Sequence, residues 1–208
     1  MKTLFIDIET RPGTPDYNKI KPDARLKDEE KIRLDLEEKK KDAEKGTLLK
    51  SCRGFIYCIT VALDEGEIVT FAHPSDEKSV IEQLNEYVRV NQLSYDDVIV
   101  GHNFKSFDLP WLLQRSMKYQ QHYLFHFLQS FDRYSKNLFD TMERFNFTAY
   151  KELTSQSDVA YFFGIPVTDE IKGGDVYECF LAGEYDKIIH HNHEDVRVLR
   201  EIYKRMKL

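Results

Sequence analysis

The apolar positions of the chain follow two different periods, which distinguish its strands from its helices. Residues 2–9 and 55–63 are short apolar runs, and each predicts a buried strand. The turn DEG and the run EIVTFAH follow the second strand, so this part of the chain predicts a β-hairpin. The run DVIVGH, residues 97–102, predicts a further short central strand.

Apolar residues at helical spacing dominate the second half of the chain. The pattern predicts helices over residues 77–90, 110–117, 155–163 and 185–206. The third of these has a Ser or Thr cap at its start, and Gly164 stops it. Strands followed by an alternation of strands and helices predict an α/β fold, in which helices pack on a mixed sheet.

Residues 13–50 differ from the rest of the chain. The segment from Lys21 to Lys45 is dense in charges of both signs, and its few apolar residues include Ile32 and Leu36, one helical turn apart. This composition predicts a solvated helix held by a thin apolar stripe. Alternatively, the basic end of the segment, residues 39–50, contacts a phosphate backbone. The 208 residues therefore fit a single domain with a charged, helical insertion at about 13–50.

Composition narrows the class of protein. The content of 41% hydrophobic and 13% aromatic residues indicates a folded globular protein. Three cysteines without a CxxC pair disfavour a disulfide framework or a structural zinc module. The start MKTLFIDIET is neither a signal peptide nor a membrane span, so we expect a cytoplasmic protein without membrane contact. A net charge of −6 disfavours binding of nucleic acid by bulk positive potential alone, although bound cations can reverse the local field.

Carboxylates stand at the ends of predicted elements. Asp7 and Glu9 are two apart in a strand, so their side chains share one face and repel each other unless a cation lies between them. Asp108 precedes the helix started by Pro110, where an N-cap is an equally good interpretation. Asp195 lies in the last helix. If the four converge, they would suit Mg²⁺ or Mn²⁺.

Three ordered motifs make the chain resemble a known family. FIDIET, GHNFKSFDLPWLLQR and the terminal NHEDVRVLREIYKRM resemble the three exonuclease motifs of the DEDD superfamily of 3′-5′ exonucleases. The resemblance is closest to the proofreading domains of family B DNA polymerases and their free-standing bacterial relatives. It extends to LFDTME and GGDVYECFLAGEYDKI, and thus to nearly all of the chain outside residues 13–50.

The resemblance implies a fold, a site and an activity. The fold is a ribonuclease-H-like mixed five-stranded sheet flanked by helices. Asp7, Glu9, Asp108 and Asp195 match the metal ligands of the family, which binds two divalent cations, Mg²⁺ or Mn²⁺. The reaction is two-metal hydrolysis at the 3′ end of single-stranded nucleic acid, DNA rather than RNA, which releases nucleoside 5′-monophosphates.

The second motif also carries flanking residues. Asn103 and Phe107 match positions for which the resemblance implies a structural or substrate-binding role. Asp140 and Glu143, in LFDTME, are candidates for supporting the site from behind the metal ligands.

The general base divides the family, and this sequence satisfies both patterns. One branch uses a tyrosine four positions before the last aspartate, where this chain has His191; another uses a histidine five positions before it, which is His190 here. His191 shares a helical face with Asp195, whereas His190 does so only if the helix starts late or is distorted. Because an imidazole is shorter than a tyrosine, we favour His190 as the base.

Two alternatives come from other classes of protein. A zinc hydrolase would use His190, His193 and Glu194 together with a ligand from elsewhere, although His193 and Glu194 are expected to face solvent. A nucleic-acid-binding module of the same fold would lack turnover. Basic and aromatic residues between 115 and 150 are candidates for strand contacts, although Leu124, Phe127 and Leu128 are spaced as helix core.

Overall fold

The computed structural model describes residues 1–132, 134–147, 153–169 and 171–207. Contacts along the chain divide it into two compact units, of which the larger comprises Met1–Glu9 and Ile56–Leu208 and the smaller Thr10–Phe55. Within the basic and aromatic stretch noted above, residues 133 and 148–150 lie outside the described residues.

A five-stranded mixed sheet forms the centre of the larger unit, which confirms the predicted fold class. Its strands in chain order are β1 (Thr3–Arg11), β2 (Phe55–Leu63), β3 (Ile68–Ala72), β4 (Val98–Gly101) and β5 (Leu138–Asp140). Their order across the sheet is β3-β2-β1-β4-β5. Strands β1, β4 and β5 run parallel, whereas β2 and β3 form the predicted antiparallel hairpin.

Eight α-helices are described. They are α1 (Glu29–Lys45), α2 (Glu77–Val90), α3 (Asp108–Lys118), α4 (His122–Gln129), α5 (Thr141–Asn146), α6 (Gln156–Phe162), α7 (Val176–Leu181) and α8 (Tyr185–Met206). The predicted helices correspond to α2, α3, α6 and α8. Ser155 caps α6 by accepting a hydrogen bond from the Asp158 amide, and Gly164 follows it with a φ of 64°. No helix of the described residues has the length and hydropathy needed to cross a membrane.

The alternation of side chains along β1 gives the sheet two different faces. Leu4, Ile6 and Ile8 point into the main core, which α2, α3 and α4 cover. Phe5 points to the other face and packs with residues of α8, including Val196 and Leu199. Because side chains two apart in a strand share a face, Asp7 and Glu9 also project toward the side that α8 covers.

Buried Glu77 connects three elements of the main core. Its carboxylate accepts hydrogen bonds from the Ile56 amide of β2 at 2.7 Å, from the Arg115 guanidinium of α3 and from the Tyr119 hydroxyl at 2.6 Å. A buried charge satisfied in this way resists displacement of its partners. The network therefore fixes α3, whose first residue is Asp108.

The smaller unit contains α1 and two short 3-10 helices, Tyr17–Lys19 and Gly46–Leu49. Asp28 caps α1 by accepting from the Lys31 amide, and α1 has no buried residue. Its charges pair within the helix, as in the contacts of Arg33 with Glu30 and Glu37. These features are those of a solvated surface helix.

Candidate active site

Two elements bring most of the candidate residues together. Strand β1 presents Asp7 and Glu9 on the face that α8 covers, and α8 presents His191, Asn192 and Asp195 toward them. Residues 191, 192 and 195 lie within about one helical turn, so their side chains share one side of α8. On the same side of α8, one turn further along, Val196 and Leu199 pack against Phe5 of β1, which holds these polar residues against the strand.

Asp108 joins this group from α3. It is 2% exposed, and its Oδ1 accepts a hydrogen bond from the Ile8 amide of β1 at 3.1 Å. The N-cap position belongs to Phe107, and Asp108 is the first residue of the helix. The interpretation of Asp108 as an N-cap is therefore wrong, because Phe107 holds that position and the Asp108 carboxylate accepts from the neighbouring strand.

Asp7 is held by a fully buried asparagine. The Asn192 Nδ2 donates to Asp7 Oδ2 at 2.5 Å, and the Cys58 thiol contacts Asn192 Oδ1 at 3.6 Å. A buried amide with both ends engaged has one preferred orientation. Asn192 therefore fixes which oxygen of Asp7 remains available to a ligand.

The carboxyl pKa values indicate that these groups repel one another. The pKa of Asp7 is raised well above its ordinary value by burial and then by the charges of Asp108, Asp195 and Glu9. Burial also raises the pKa of Asp108, and the charge of Glu9 adds to this effect. For Asp195, burial and the charge of Glu9 raise the pKa to about 7, although the charge of His191 lowers it. The cluster therefore carries more negative charge than its surroundings compensate.

This donor set fits divalent cations. Glu9, His191 and Asp195 each offer one ligand atom, and these atoms lie within 4.8 Å of one another. Asp7 and Asp108 add carboxylate oxygens close enough to interact electrostatically with this group. Oxygen donors with uncompensated charge suit hard cations such as Mg²⁺ and Mn²⁺.

His191 is oriented from both sides of its ring. Its Nδ1 is hydrogen-bonded to Asp169 Oδ2, and its Nε2 lies 3.3 Å from Glu9 Oε1 and 3.5 Å from Asp195 Oδ2. Burial disfavours the charged imidazolium, but the hydrogen bond to Glu9, the charges of Asp195 and Glu9 and the bond to Asp169 together raise the pKa of His191 to about 10. The imidazole therefore reaches the carboxylates despite its short side chain.

The preference for His190 is not supported by this geometry. His190 is exposed, whereas the side chain of His191 is only 7% exposed. His190 would face Asp195 only if the helix started late or was distorted, but α8 is helical from Tyr185 onward. At about 100° per residue, a spacing of five places the two side chains roughly 140° apart around the helix.

The alternative zinc ligands are not brought together. His190 and His193 are both exposed, and the expectation that His193 faces solvent is confirmed. The same expectation for Glu194 is wrong, because Glu194 is 4% exposed. Its carboxylate accepts hydrogen bonds from the Arg197 guanidinium at 2.7 Å and from Thr168 at 2.9 Å, which explains why a charged residue is buried there.

The flanking residues of the second motif shape the loop between β4 and α3. Asn103 has a φ of 58°, a conformation that asparagine tolerates better than most residues. Phe107 packs against the core, and the centre of its ring lies 5.8 Å from the centre of the Trp111 ring. Buried Asp140 accepts hydrogen bonds from the Asn103 and Lys105 amides at 3.1 and 3.0 Å. Asp140 thus orders the loop that leads to Asp108.

Glu143, the other residue proposed as a support, acts on the same loop. Its carboxylate binds Lys105 Nζ at 2.6 Å. It therefore contacts the loop that leads to Asp108.

A cavity of about 620 Å³ opens beside the carboxylates, with Glu9, His191 and Asp195 in its wall. This volume is in the range of small-molecule and nucleotide sites. Lys172, Gly173 and Gly174 form part of the rim. A substrate group at the carboxylates would therefore have room beside it.

Sequence reasoning missed three residues that contact the site. Asp169 binds His191, Asn192 binds Asp7, and the Gln156 amide donates to the Asp195 carbonyl at 2.9 Å. Asn192 had a detectable signal, because it precedes Asp195 by three positions and so shares its helical face. Asp169 and Gln156 come from segments about 20 to 40 residues away, and no spacing in the sequence connects them to α8.

Comparisons with known proteins agree with this fold. The model of the RNase_H_2 family, described as RNase_H superfamily, matches residues 41–207. No curated protein matches the sequence. The solved structure of the family B DNA polymerase from the hyperthermophilic archaeon Pyrobaculum calidifontis is similar, with a TM-score of 0.63 and 19% sequence identity.

That match covers 99% of this chain and 24% of the polymerase chain, so the chain spans about a quarter of the polymerase's length. At this level of identity, the likeness establishes the fold alone. The family match extends over most of the chain, from β2 to the end of α8 and a part of α1. The chain therefore belongs to the RNase_H superfamily.

Proposed function

We propose that this chain is a metal-dependent 3′-5′ exonuclease that acts on single-stranded nucleic acid, DNA rather than RNA. Membership of the RNase_H superfamily supports nuclease activity in general, and nucleases of this type generally use divalent metal ions. The order and spacing of the three exonuclease motifs support the finer assignment of polarity and product, nucleoside 5′-monophosphates.

The observation that carries the proposal is the concentration of carboxylates at one place. Asp7, Glu9, Asp108 and Asp195 come from three elements, and the pKa values of three of them are raised by burial and by mutual repulsion. Such an arrangement costs stability unless cations offset it. A module that only binds nucleic acid would gain nothing from the stability that these repelling carboxylates cost.

The residues of the chain divide the chemical tasks among them. Asp7, Glu9, Asp108 and Asp195 would hold the divalent cations, which when bound supply Lewis-acid activation of the phosphodiester. Asn192 holds Asp7 in one orientation. These contacts fix the carboxylates before a substrate arrives, and such preorganisation lowers the cost of reaching the transition state.

His191 is the proposed general base. Asp169 binds its Nδ1, so Nε2 is the ring nitrogen that faces the carboxylates. Without cations, the charged imidazole offsets part of the carboxylate charge. Once the carboxylates are neutralised, the imidazole loses the charges that raise its pKa, and Nε2 can accept a proton from the attacking water.

A nuclease assay on labelled oligonucleotides tests the proposal. The chain is incubated with Mg²⁺ or Mn²⁺ and with 5′-labelled single-stranded DNA, duplex DNA or single-stranded RNA of the same sequence. We expect progressive shortening from the 3′ end, fastest on single-stranded DNA, with nucleoside 5′-monophosphates as the released product. EDTA should abolish the reaction.

Two variants distinguish the activity of this chain from that of a contaminating nuclease. Asp7→Asn keeps the shape of the side chain and should lower the rate at least about 100-fold, because one charged metal ligand is lost. Glu201→Gln changes a carboxylate of α8 that pairs with Lys204, away from the cluster, and should react as the unmodified chain does. Equal rates for Asp7→Asn and Glu201→Gln, or no release by the unmodified chain, would refute the proposal.

A further inference from the structure

A second cavity lies along the edge strand β5, outside the carboxylate cluster. Its volume is about 650 Å³, and its wall is formed by β5, the residues before it, α5 and the loop that carries Lys105. None of Asp7, Glu9, Asp108, Asp195 and His191 lines this cavity. We call it the β5 pocket.

Two aromatic rings at the β5 pocket are largely exposed. Tyr134 is 89% exposed and Phe147 is 82% exposed, and both line the pocket. Exposed aromatic side chains are ordinary when they are scattered, whereas two that line the same cavity give it two apolar surfaces that a ligand can cover. Phe147 also has a φ of 51°, a backbone conformation that costs energy for a residue other than glycine and occurs often at ligand sites.

Cations interleave with these rings. Lys136 and Arg144 line the pocket and are exposed, and within the described part of the chain neither forms an ion pair. The Arg144 guanidinium lies 5.7 Å from the centre of the Phe139 ring. The acidic residues of the pocket are already engaged, because Asp140 binds backbone amides and Glu143 binds Lys105. The charged residues that line the pocket are three cations and two carboxylates, so its net charge is positive in a chain whose net charge is −6.

The sheet sets the distance between the pocket and the carboxylates. Phe5 of β1, Val100 of β4 and Phe139 of β5 form one row across the parallel strands. Neighbouring strands are about 4.8 Å apart, so β5 lies roughly 10 Å from β1, which carries Asp7. Lys105 lies in the loop between β4 and α3, three residues before Asp108, the first residue of α3. A strand of nucleic acid with its 3′ end at the carboxylates would reach the pocket within a few nucleotides.

We propose that the β5 pocket binds single-stranded nucleic acid a few nucleotides upstream of the bond to be cleaved. Bases stack on Tyr134 and Phe147, and Lys136 and Arg144 bind the phosphates between them. Alternating aromatic and cationic groups bind single strands without sequence preference, because every base has a stacking face and every nucleotide a charge. The inference rests on the proposed function, since it assumes that a 3′ end occupies the carboxylate site.

Binding without cleavage isolates the pocket from the chemistry. Fluorescence anisotropy measures binding of 5′-labelled oligothymidylates of three and twelve nucleotides to the full chain with the Asp7→Asn substitution. In this background, the pair Tyr134→Ala and Phe147→Ala should weaken binding of the 12-mer about tenfold or more per ring. The loss should be smaller for the trinucleotide, which cannot occupy the carboxylate site and stack on both rings at the same time.

The cations are tested through the salt dependence. The pair Lys136→Ala and Arg144→Ala should reduce the slope of log affinity against log salt concentration by about 1.4, because each phosphate contact on a single strand contributes roughly 0.7. Tyr123→Ala with Lys78→Ala is the matched control. It also removes an exposed ring and an exposed cation, and both residues lie on helices away from the pocket.

The outcomes distinguish the two proposals. If the unmodified chain shortens DNA but the pocket variants bind the 12-mer like the control, the pocket assignment is wrong and the proposed function stands. If the pocket variants lose binding but the unmodified chain releases no nucleotide, the pocket stands and the proposed function is wrong. A chain that binds neither oligonucleotide overturns the pocket.

Discussion

Replacing Asp195 by asparagine should stabilise the cation-free protein while it removes activity. Burial, followed by the charges of Glu9, Asp169 and Glu194, raises the pKa of Asp195 to about 7. Asn has nearly the same shape and no charge. The substitution therefore removes a repulsion that the folded protein experiences and the unfolded chain does not.

The magnitude follows from the pKa. A rise from the ordinary value of 3.8 to about 7 corresponds to roughly 4 kcal/mol, at about 1.4 kcal/mol for each pH unit. The value of about 7 already includes the opposing charge of His191, but the carboxylate is 25% exposed and solvent screens part of the repulsion, so we expect a net gain of about 1–3 kcal/mol above pH 7. For a chain of this size, that gain raises Tm by about 2–10 °C.

The raised pKa of Asp195 determines how the stability of the folded protein changes with pH. A carboxyl group whose pKa is raised in the folded state contributes stability at low pH, and this contribution is lost as the pH rises from 3.8 to about 7. The advantage of Asp195→Asn should therefore be small near pH 4, grow until about pH 7 and remain constant above it.

Thermal unfolding in EDTA at several pH values measures this effect. Glu201→Gln on the same helix is the control, and it should change Tm little because its ion pair with Lys204 is exposed. With Mn²⁺ present the order should reverse, since the unmodified chain binds cations more tightly. A lower Tm for Asp195→Asn than for the unmodified chain in EDTA at pH 8 would show that the carboxylates do not repel each other as argued.

Two further predictions concern the residues around the carboxylates. His191→Ala should lower kcat at least about 100-fold in the nuclease assay with little change in KM. His190→Ala should change kcat less than about threefold. Similar losses for both variants would contradict the assignment of His191 as the base. Asn192→Ala should weaken Mn²⁺ binding about 10- to 100-fold by titration calorimetry, because Asp7 loses its positioning hydrogen bond, and unchanged affinity would contradict that role.

Local patterns were sufficient for most of the fold. The predicted bounds of β2 (Phe55–Leu63), α2 (Glu77–Val90) and α8 (Tyr185–Met206) agree with the structure, since each element has a long apolar pattern of one period. The strand β5 was not identified from its own sequence. Its three residues are too few for an alternation to appear, and its pairing with β4 is a long-range contact.

The site was predicted as far as the helix and strand periods extend. The period of two in β1 placed Asp7 and Glu9 on one face, and the period of α8 paired His191 with Asp195. The preference for His190 weighed side-chain length above helical position, and the geometry favours His191 instead. Asp169 could not be predicted, since its contact with His191 depends on how the loop after α6 crosses α8.

The shortness of β5 affects more than the pocket beside it. An edge strand exposes unpaired backbone groups, and a long one can recruit a strand from another molecule and so start aggregation. At three residues, β5 offers a template for little more than one pair of hydrogen bonds, and the exposed charge of Lys136 precedes it. A second copy of the protein therefore cannot easily add a strand at β5, the same edge at which we propose that single-stranded nucleic acid binds.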